Sequence, residues 1–304
     1  MRTITVALGE KTYNIEIAAG MLDQIGAKAR VLSQAVKAAI ISDSNVDPLY
    51  GERLERSLAA SGFEVTRTVF AAGEQSKNLT VLGQVYDELA RAGLTRSDLI
   101  LTLGGGVPGD LGGFAAATFL RGIDFIQVPT SLLAQIDSSV GGKVAIDLPS
   151  GKNLAGSFYQ PKAVFIDPDL LKTLPLRFLH DGLAEAIKYG CIRDAGLFAQ
   201  IAAVKSDQEL LEQADIIIET CCNIKARIVE KDEFDTGERM LLNFGHTIGH
   251  AIEKCCGFTT YTHGEGVGIG MVQMTRQTEK LGLTAAGTAE ELSRVLKKLS
   301  LIHI

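Results

Sequence analysis

The sequence predicts an α/β domain built on a mainly parallel sheet, followed by an all-α domain. Three observations carry that prediction. Short apolar runs alternate with helical patterns through the first half of the 304 residues, the strand signal stops at Asp167-Pro168, and nearly everything after Leu170 has helical periodicity. The boundary is placed at Pro168, giving domains 1–168 and 169–304, and the length suffices for two cores.

Residues 2–8 and 12–18 alternate as two strands joined by a turn at Gly9-Glu10-Lys11. The apolar runs 36–41, 63–70, 99–103, 125–128 and 163–166 read as further strands, and helical stretches at 49–60, 79–92 and 111–120 separate most of them. Ser76 and Asn78 are both suitable caps for the second of these helices. The closing segment 299–304 has no turn or cap and matches the translation of a common transposon sequencing adapter. It is expected to be a non-native tail on a truncated gene end, and His303 is given no role.

Composition excludes several classes. A hydrophobic content of 46% with 22% charged residues is that of a soluble globular protein. A net charge of −6 argues against a general nucleic-acid binder. No apolar run reaches the roughly 18 residues of a membrane span, and the alternating N-terminus lacks a signal-peptide core. Five cysteines, with adjacent pairs at 221–222 and 255–256, form no CxxC and no disulfide framework. A reduced, cytoplasmic setting is expected, with packing as their default role.

Two glycine-rich loops lie in the first half. The run 99–103 leads into Gly104-Gly105-Gly106-Val107-Pro108-Gly109-Asp110 and then a helix. Such a turn lets backbone N–H groups approach an anion at a helix N-terminus, the physics of a pyrophosphate site. A tight turn with no ligand explains the loop nearly as well, and Pro108 removes one N–H from it. Gly141-Gly142-Lys143 is not a Walker A motif, because Asp137 stands where Gly is required and Val144 where Ser or Thr is. Asp43, at a strand end, can hold ribose hydroxyls.

In the second half, Glu185, His246 and His263 read as an open zinc site, since three such ligands leave a fourth position for substrate. If 239–250 is one helix, Arg239, Asn243, His246 and His250 share a face. Arg121, Lys143, Lys152, Lys188, Lys225 and Arg239 lie outside charge runs, and a phosphorylated carboxylic acid would account for several converging.

Together these residues resemble 3-dehydroquinate synthases, the sugar phosphate cyclase family of the shikimate pathway. The resemblance runs from about residue 40 to 296. It is carried by 73–77, 104–110, 115–122, 129–131, 137–143, 151–153, 185–188, 243–253 and His263-Gly264-Glu265. It implies zinc (or cobalt) on Glu185, His246 and His263. It implies NAD held by Asp43, Glu74, Lys77, Gly106, Asp110, Thr130, Ser131, Lys143, Lys152 and Thr173, with Gly105 and Gly109 in the same loop. Substrate contacts carried over are Arg121, Asp137, Lys143, Asn153, Lys188, Lys225, Arg239, Asn243 and His250; of these, Arg121, Lys143, Lys188, Asn243 and His250 are assigned to catalysis. The implied reaction oxidises 3-deoxy-D-arabino-heptulosonate 7-phosphate at C5, eliminates phosphate, returns the hydride and closes the ring by an aldol step. A homodimer is implied, and neither nucleic acid nor membrane is a partner. The rival readings are another sugar phosphate cyclase, an iron-type alcohol dehydrogenase of the same fold, and a fragment that binds NAD and zinc without turnover.

Overall fold

The computed structural model describes residues 1–257 and 260–302. Strands β1 (Arg2–Val6) and β2 (Tyr13–Ile17) pair antiparallel across a single turn at Gly9–Lys11. Then follow β3 (Lys37–Asp43), β4 (Glu64–Phe70), β5 (Leu99–Gly104), β6 (Asp124–Pro129) and β9 (Ala163–Ile166). The seven strands lie in the order β1-β2-β9-β6-β5-β3-β4, and every pair except β1–β2 is parallel. The central strands β5 and β9 are buried throughout, as unbroken apolar runs must be when helices cover both faces. Edge strand β4 is exposed at Glu64, Arg67 and Val69.

Helices α1 (Ile25–Leu32) and α2 (Glu52–Ala60) pack on one face, where Ile25, Leu54 and Leu58 join Ile40, Leu101 and Phe165. Helices α3 (Leu79–Arg91) and α4 (Gly106–Thr118) cover the other, where Leu82, Val85, Leu111 and Ala115 meet Ile41, Ile100 and Phe125. Asn78 caps α3 by accepting from the N–H groups of Thr80 and Val81 at 2.8 and 3.0 Å. Helix α4 begins five residues before the predicted start, because its glycines and Pro108 carry no apolar periodicity. Two further elements escape the sequence pattern. One is α1; the other is a hairpin of β7 (Lys143–Leu148) and β8 (Gly151–Phe158), whose second strand is half exposed and polar at Lys152, Asn153 and Ser157.

After β9 the described chain is helical: α5 (Leu176–Ile192), α6 (Ala195–Ala203), α7 (Asp207–Glu212), α8 (Ala214–Lys231), α9 (His246–Cys255), α10 (His263–Lys280) and α11 (Thr288–Lys298). The largest core joins these helices to the sheet, with Val6, Ile15 and Ile166 packed among Leu183, Ile218, Met271 and Leu296. Leu299, Leu301 and Ile302 of the closing segment are buried against that core; His303 and Ile304 lie outside the described residues.

The single helix expected over 239–250 is corrected by the structure. Glu238–Asn243 forms a short 3₁₀ segment, the chain reverses at Gly245 in left-handed backbone (φ 82°), and α9 starts at His246. Glycine is needed there twice over, since a Cβ at 245 would also lie 2.7 Å from the carbonyl oxygen of Val267. Arg239 and Asn243 therefore do not share a helix face with His246 and His250.

Candidate active site

The parallel strands end along one edge of the sheet, and the glycine loop and several polar side chains gather there. The chain passes from β3 out to β4 and returns across it to β5, so the strand order reverses between β3 and β5, the usual crevice for a dinucleotide. Asp43 closes β3, buried, and accepts from the N–H groups of Asn45 and Val46 at 2.9 and 3.0 Å. Gly104 closes β5, and α4 opens at Gly106 with its first N–H groups unpaired by the helix. A Cβ at Gly105 would meet Ser131 Oγ at 3.4 Å and one at Gly106 would meet Ser138 Oγ at 3.6 Å, so the loop sits close under these hydroxyls. Thr130, after β6, donates its N–H to the Gly104 carbonyl at 2.9 Å. Pro108 falls in the first turn of α4, where its missing N–H breaks no helix bond.

Behind the loop, Lys77 lies 2.7 Å from Asp110 and 3.6 Å from Glu74. Burial opposes the Lys77 charge, but Asp110 and Glu74 outweigh it and raise its pKa. Burial likewise pushes the Asp110 carboxyl up against the pull of Lys77. Lys152, on β8, lies 3.6 Å from Glu74 and 3.5 Å from Glu253.

The second group of residues comes from the helices. Glu185 on α5 is fully buried, and its Oε1 stands 3.6 Å from Nε2 of both His246 and His263. That oxygen has no hydrogen-bond partner among the described residues. A buried, orphaned carboxylate oxygen facing two imidazole nitrogens is what a divalent cation would satisfy. These three side chains form a group close enough to hold one ion. The other Glu185 oxygen bonds Lys188 one turn along α5. Burial works against the Glu185 charge, yet Lys188 and the two histidines bring its pKa down to about 2. Burial brings His246 down to about 4, so its ring is neutral at pH 7, as a metal ligand must be. Burial also opposes a charge on His263, but Glu185 and Glu253 raise it to about 10.

Contact between glycines brings these histidines together. A Cβ at Gly249 would lie 3.0 Å from Gly266 backbone, and one at Gly270 would lie 2.0 Å from the Gly245 carbonyl oxygen. The α9 and α10 backbones thus touch, and the rings of His246 and His263 come to 5.1 Å between centroids, with His250 at 5.4 Å from His246. The start of α10 is fixed by a capping box between Thr262 and Glu265, and by Asp181, which accepts from the Gly264 N–H at 2.5 Å.

A buried cationic network adjoins the set. Asp137 Oδ1 accepts from Lys225 at 2.7 Å and from the Tyr189 hydroxyl at 2.6 Å. Burial disfavours its charge, but Lys225 and Lys188 hold it well below the usual carboxylate range. Arg239 is buried and donates to the carbonyls of Glu233 at 2.7 Å and Gly141 at 3.1 Å. Lys143 pairs with Asp235, which sequence reasoning did not single out.

Not every predicted residue enters these networks. Arg121 stands exposed after α4 in left-handed backbone (φ 72°). Asn153 (φ 56°) is tied by its N–H to Asp147 at 2.8 Å. Asn243 and His250 are exposed. Thr173 bonds the Tyr50 hydroxyl and the Leu170 carbonyl. Tyr189 and Asp181 also lay outside the motifs, and Glu253, which closes the run 243–253, was given no role there.

A family profile described as the N-terminal part of 3-dehydroquinate synthase matches residues 67–181, and one for its C-terminal part matches 182–303. The 3-dehydroquinate synthase of Clostridium acetobutylicum is 54% identical over 301 residues, covering 99% of this chain and 85% of the relative. The chain belongs to the 3-dehydroquinate synthase family. That of Enterococcus faecalis is 49% identical over 298 residues, covering 98% of this chain and 83% of the relative. Among solved structures, 2-deoxy-scyllo-inosose synthase complexed with carbaglucose-6-phosphate, NAD⁺ and Co²⁺ superposes with a TM-score of 0.89 at 26% identity, covering 99% of this chain and 84% of the other. A 2-epi-5-epi-valiolone synthase from Streptomyces hygroscopicus with NAD⁺ and Zn²⁺ superposes at 0.88 and 27%, covering 98% of this chain and 83% of the other. The predicted parallel sheet followed by helices is thus the architecture of this family and of its cyclase neighbours.

Proposed function

We propose that the chain converts 3-deoxy-D-arabino-heptulosonate 7-phosphate to 3-dehydroquinate and phosphate, as a carbon–oxygen lyase that uses NAD and a divalent metal. The observation that carries this reading is the buried Glu185, His246 and His263 set, with its orphaned carboxylate oxygen, beside the Lys188, Lys225 and Asp137 network. Glu185, His246 and His263 would hold zinc or cobalt. The crevice from Asp43 through Gly105, Gly106, Gly109 and Asp110 to Thr130 and Ser131, with Glu74, Lys77, Lys152 and Thr173, would hold NAD. When bound, NAD would take a hydride from the substrate C5 and give it back in the same turnover, and the metal would polarise the C5 oxygen.

The chain's own groups supply the rest. Lys188, Lys225, Arg239 and Lys143 bring positive charge toward a substrate bearing phosphate and carboxylate, and Arg239 has the planar fork that matches a carboxylate. The Asp137 carboxylate can accept a substrate hydroxyl, with Asn153 and Asn243 as neutral partners. His250, one turn along α9 from His246, would serve in proton transfer; burial keeps its pKa below the ordinary histidine value, so a neutral ring is available as a base. Arg121 is carried over by the family resemblance as a substrate contact with a part in catalysis. In this reading residues 1–168, with Thr173, carry the dinucleotide and 169–304 the metal. The protein works in the cytoplasm as a homodimer, which light scattering would check; no helix among the described residues is long and apolar enough to cross a membrane.

Substrate identity is tested by a panel. The heptulosonate phosphate, sedoheptulose 7-phosphate and glucose 6-phosphate are each incubated with zinc- and NAD-loaded protein, and the carbocyclic products identified by mass. Turnover confined to the heptulosonate phosphate is the expected result. Preferred turnover of either neutral sugar phosphate would move the chain to another cyclase activity.

A further inference from the structure

Glu253 has no part in the scheme above, yet it is only 4% exposed and stands against the metal set. Its Oε2 lies 3.7 Å from His263 Nδ1, while the opposite ring nitrogen of His263 faces Glu185. Its Oε1 lies 3.5 Å from Lys152, which is 3.6 Å from Glu74 of the dinucleotide crevice. His250, Glu253 and His263 are close enough to gather a cation of their own, but the Lys152 ammonium already balances the Glu253 charge.

We propose that Glu253 is a positioning residue that holds His263 by Nδ1–H, fixing the tautomer and ring orientation that leave Nε2 free to bind the metal. The inference rests on reading Glu185, His246 and His263 as metal ligands. His263 needs such a partner, because it is the first residue of α10 and its side chain keeps 26% of its surface exposed. A carboxylate on the outer nitrogen of a ligating imidazole raises its basicity and removes rotational freedom, and losing it typically weakens metal binding about 10–100-fold. Lys152 in turn holds the carboxylate in place from the β7–β8 hairpin.

The test is a cobalt(II) titration of metal-free protein, followed by visible absorption, for the parent, Glu253→Gln and Glu253→Asp, each checked for folding by circular dichroism. Glu253→Gln is expected to bind cobalt about 10–100-fold more weakly and to shift the absorption bands. Glu253→Asp keeps the charge beside Lys152 but withdraws it from His263, so it is expected to weaken binding in the same direction and carries the test if the glutamine variant does not fold. A parent that binds no cobalt would remove the metal reading itself, and the proposal with it. Cobalt affinity and spectrum equal to the parent's in a folded variant would overturn the proposal and leave the metal reading standing.

Discussion

At the scale of single residues, the two histidines of the proposed metal set differ in protonation. In metal-free protein His263 has its pKa raised to about 10, burial being outweighed by Glu185 and Glu253, so at neutral pH it carries a proton that an arriving ion must displace. His246, brought down to about 4 mainly by burial, has none to lose. Zinc binding between pH 6 and 8 is therefore expected to release about one proton per ion and to tighten about tenfold per pH unit. Calorimetry in buffers of different ionisation enthalpy measures that proton number, and a value near zero would contradict the assignment of His263. The same shift has a sign for stability. The folded value lies above the unfolded value of about 6.5, so the charged His263 stabilises metal-free protein fully below that pH, and the contribution is lost as pH rises through about 10.

Between α9 and α10 the site depends on backbone contact rather than on side chains. A methyl group at Gly270 would meet the Gly245 carbonyl oxygen at 2.0 Å, whereas one at Gly268, on the same helix, would meet Leu296 at 3.5 Å, an ordinary contact. Gly270→Ala is expected to cost about 1–3 kcal/mol in urea denaturation and to weaken zinc binding by parting the helices. Gly268→Ala is expected to be neutral or to stabilise by about 0.5–1 kcal/mol, because alanine favours the helix interior. Equal behaviour of the two would show that the glycine contact does not position the histidines. Element by element, the inner strands of the main sheet were legible because buried parallel strands are unbroken apolar runs, and β1 and β2 because they alternate. The β7–β8 hairpin was not, since half of β8 is polar and exposed, and α4 was shortened because glycines have no period. The helix read over 239–250 failed for a related reason: Leu241, Leu242 and Ile248 keep a helical spacing across Gly245, and periodicity does not register a reversal that depends on one positive φ. Glu185, His246 and His263 were nonetheless singled out by residue type rather than by helix face, and the structure brings the three side chains together. Asp235, on Lys143, and Tyr189, on Asp137, leave no motif, and Glu253, although it closes the run 243–253, was given no role.

For the whole molecule, the division at Pro168 marks a change of secondary structure across a continuous core. Val6, Ile15 and Ile166 of the sheet pack in the same cluster as Leu183, Ile218 and Met271 of the helices. Unfolding in urea, followed by far-ultraviolet circular dichroism and by the emission of the six tyrosines, is accordingly expected to show one coincident transition, displaced upward by saturating zinc. Two separated transitions would show that the halves hold independently. The continuous core also fixes the crevice at the sheet's edge relative to the helical ligand set, with Lys152 bridging Glu74 and Glu253 between them. The most direct test of the proposed cyclase is phosphate release from 3-deoxy-D-arabino-heptulosonate 7-phosphate by protein supplied with zinc and NAD, against a chelator-treated control. Metal-dependent release with no net accumulation of NADH is the predicted result; folded, metal-loaded protein that releases no phosphate, or that accumulates NADH in step with substrate loss, would contradict it.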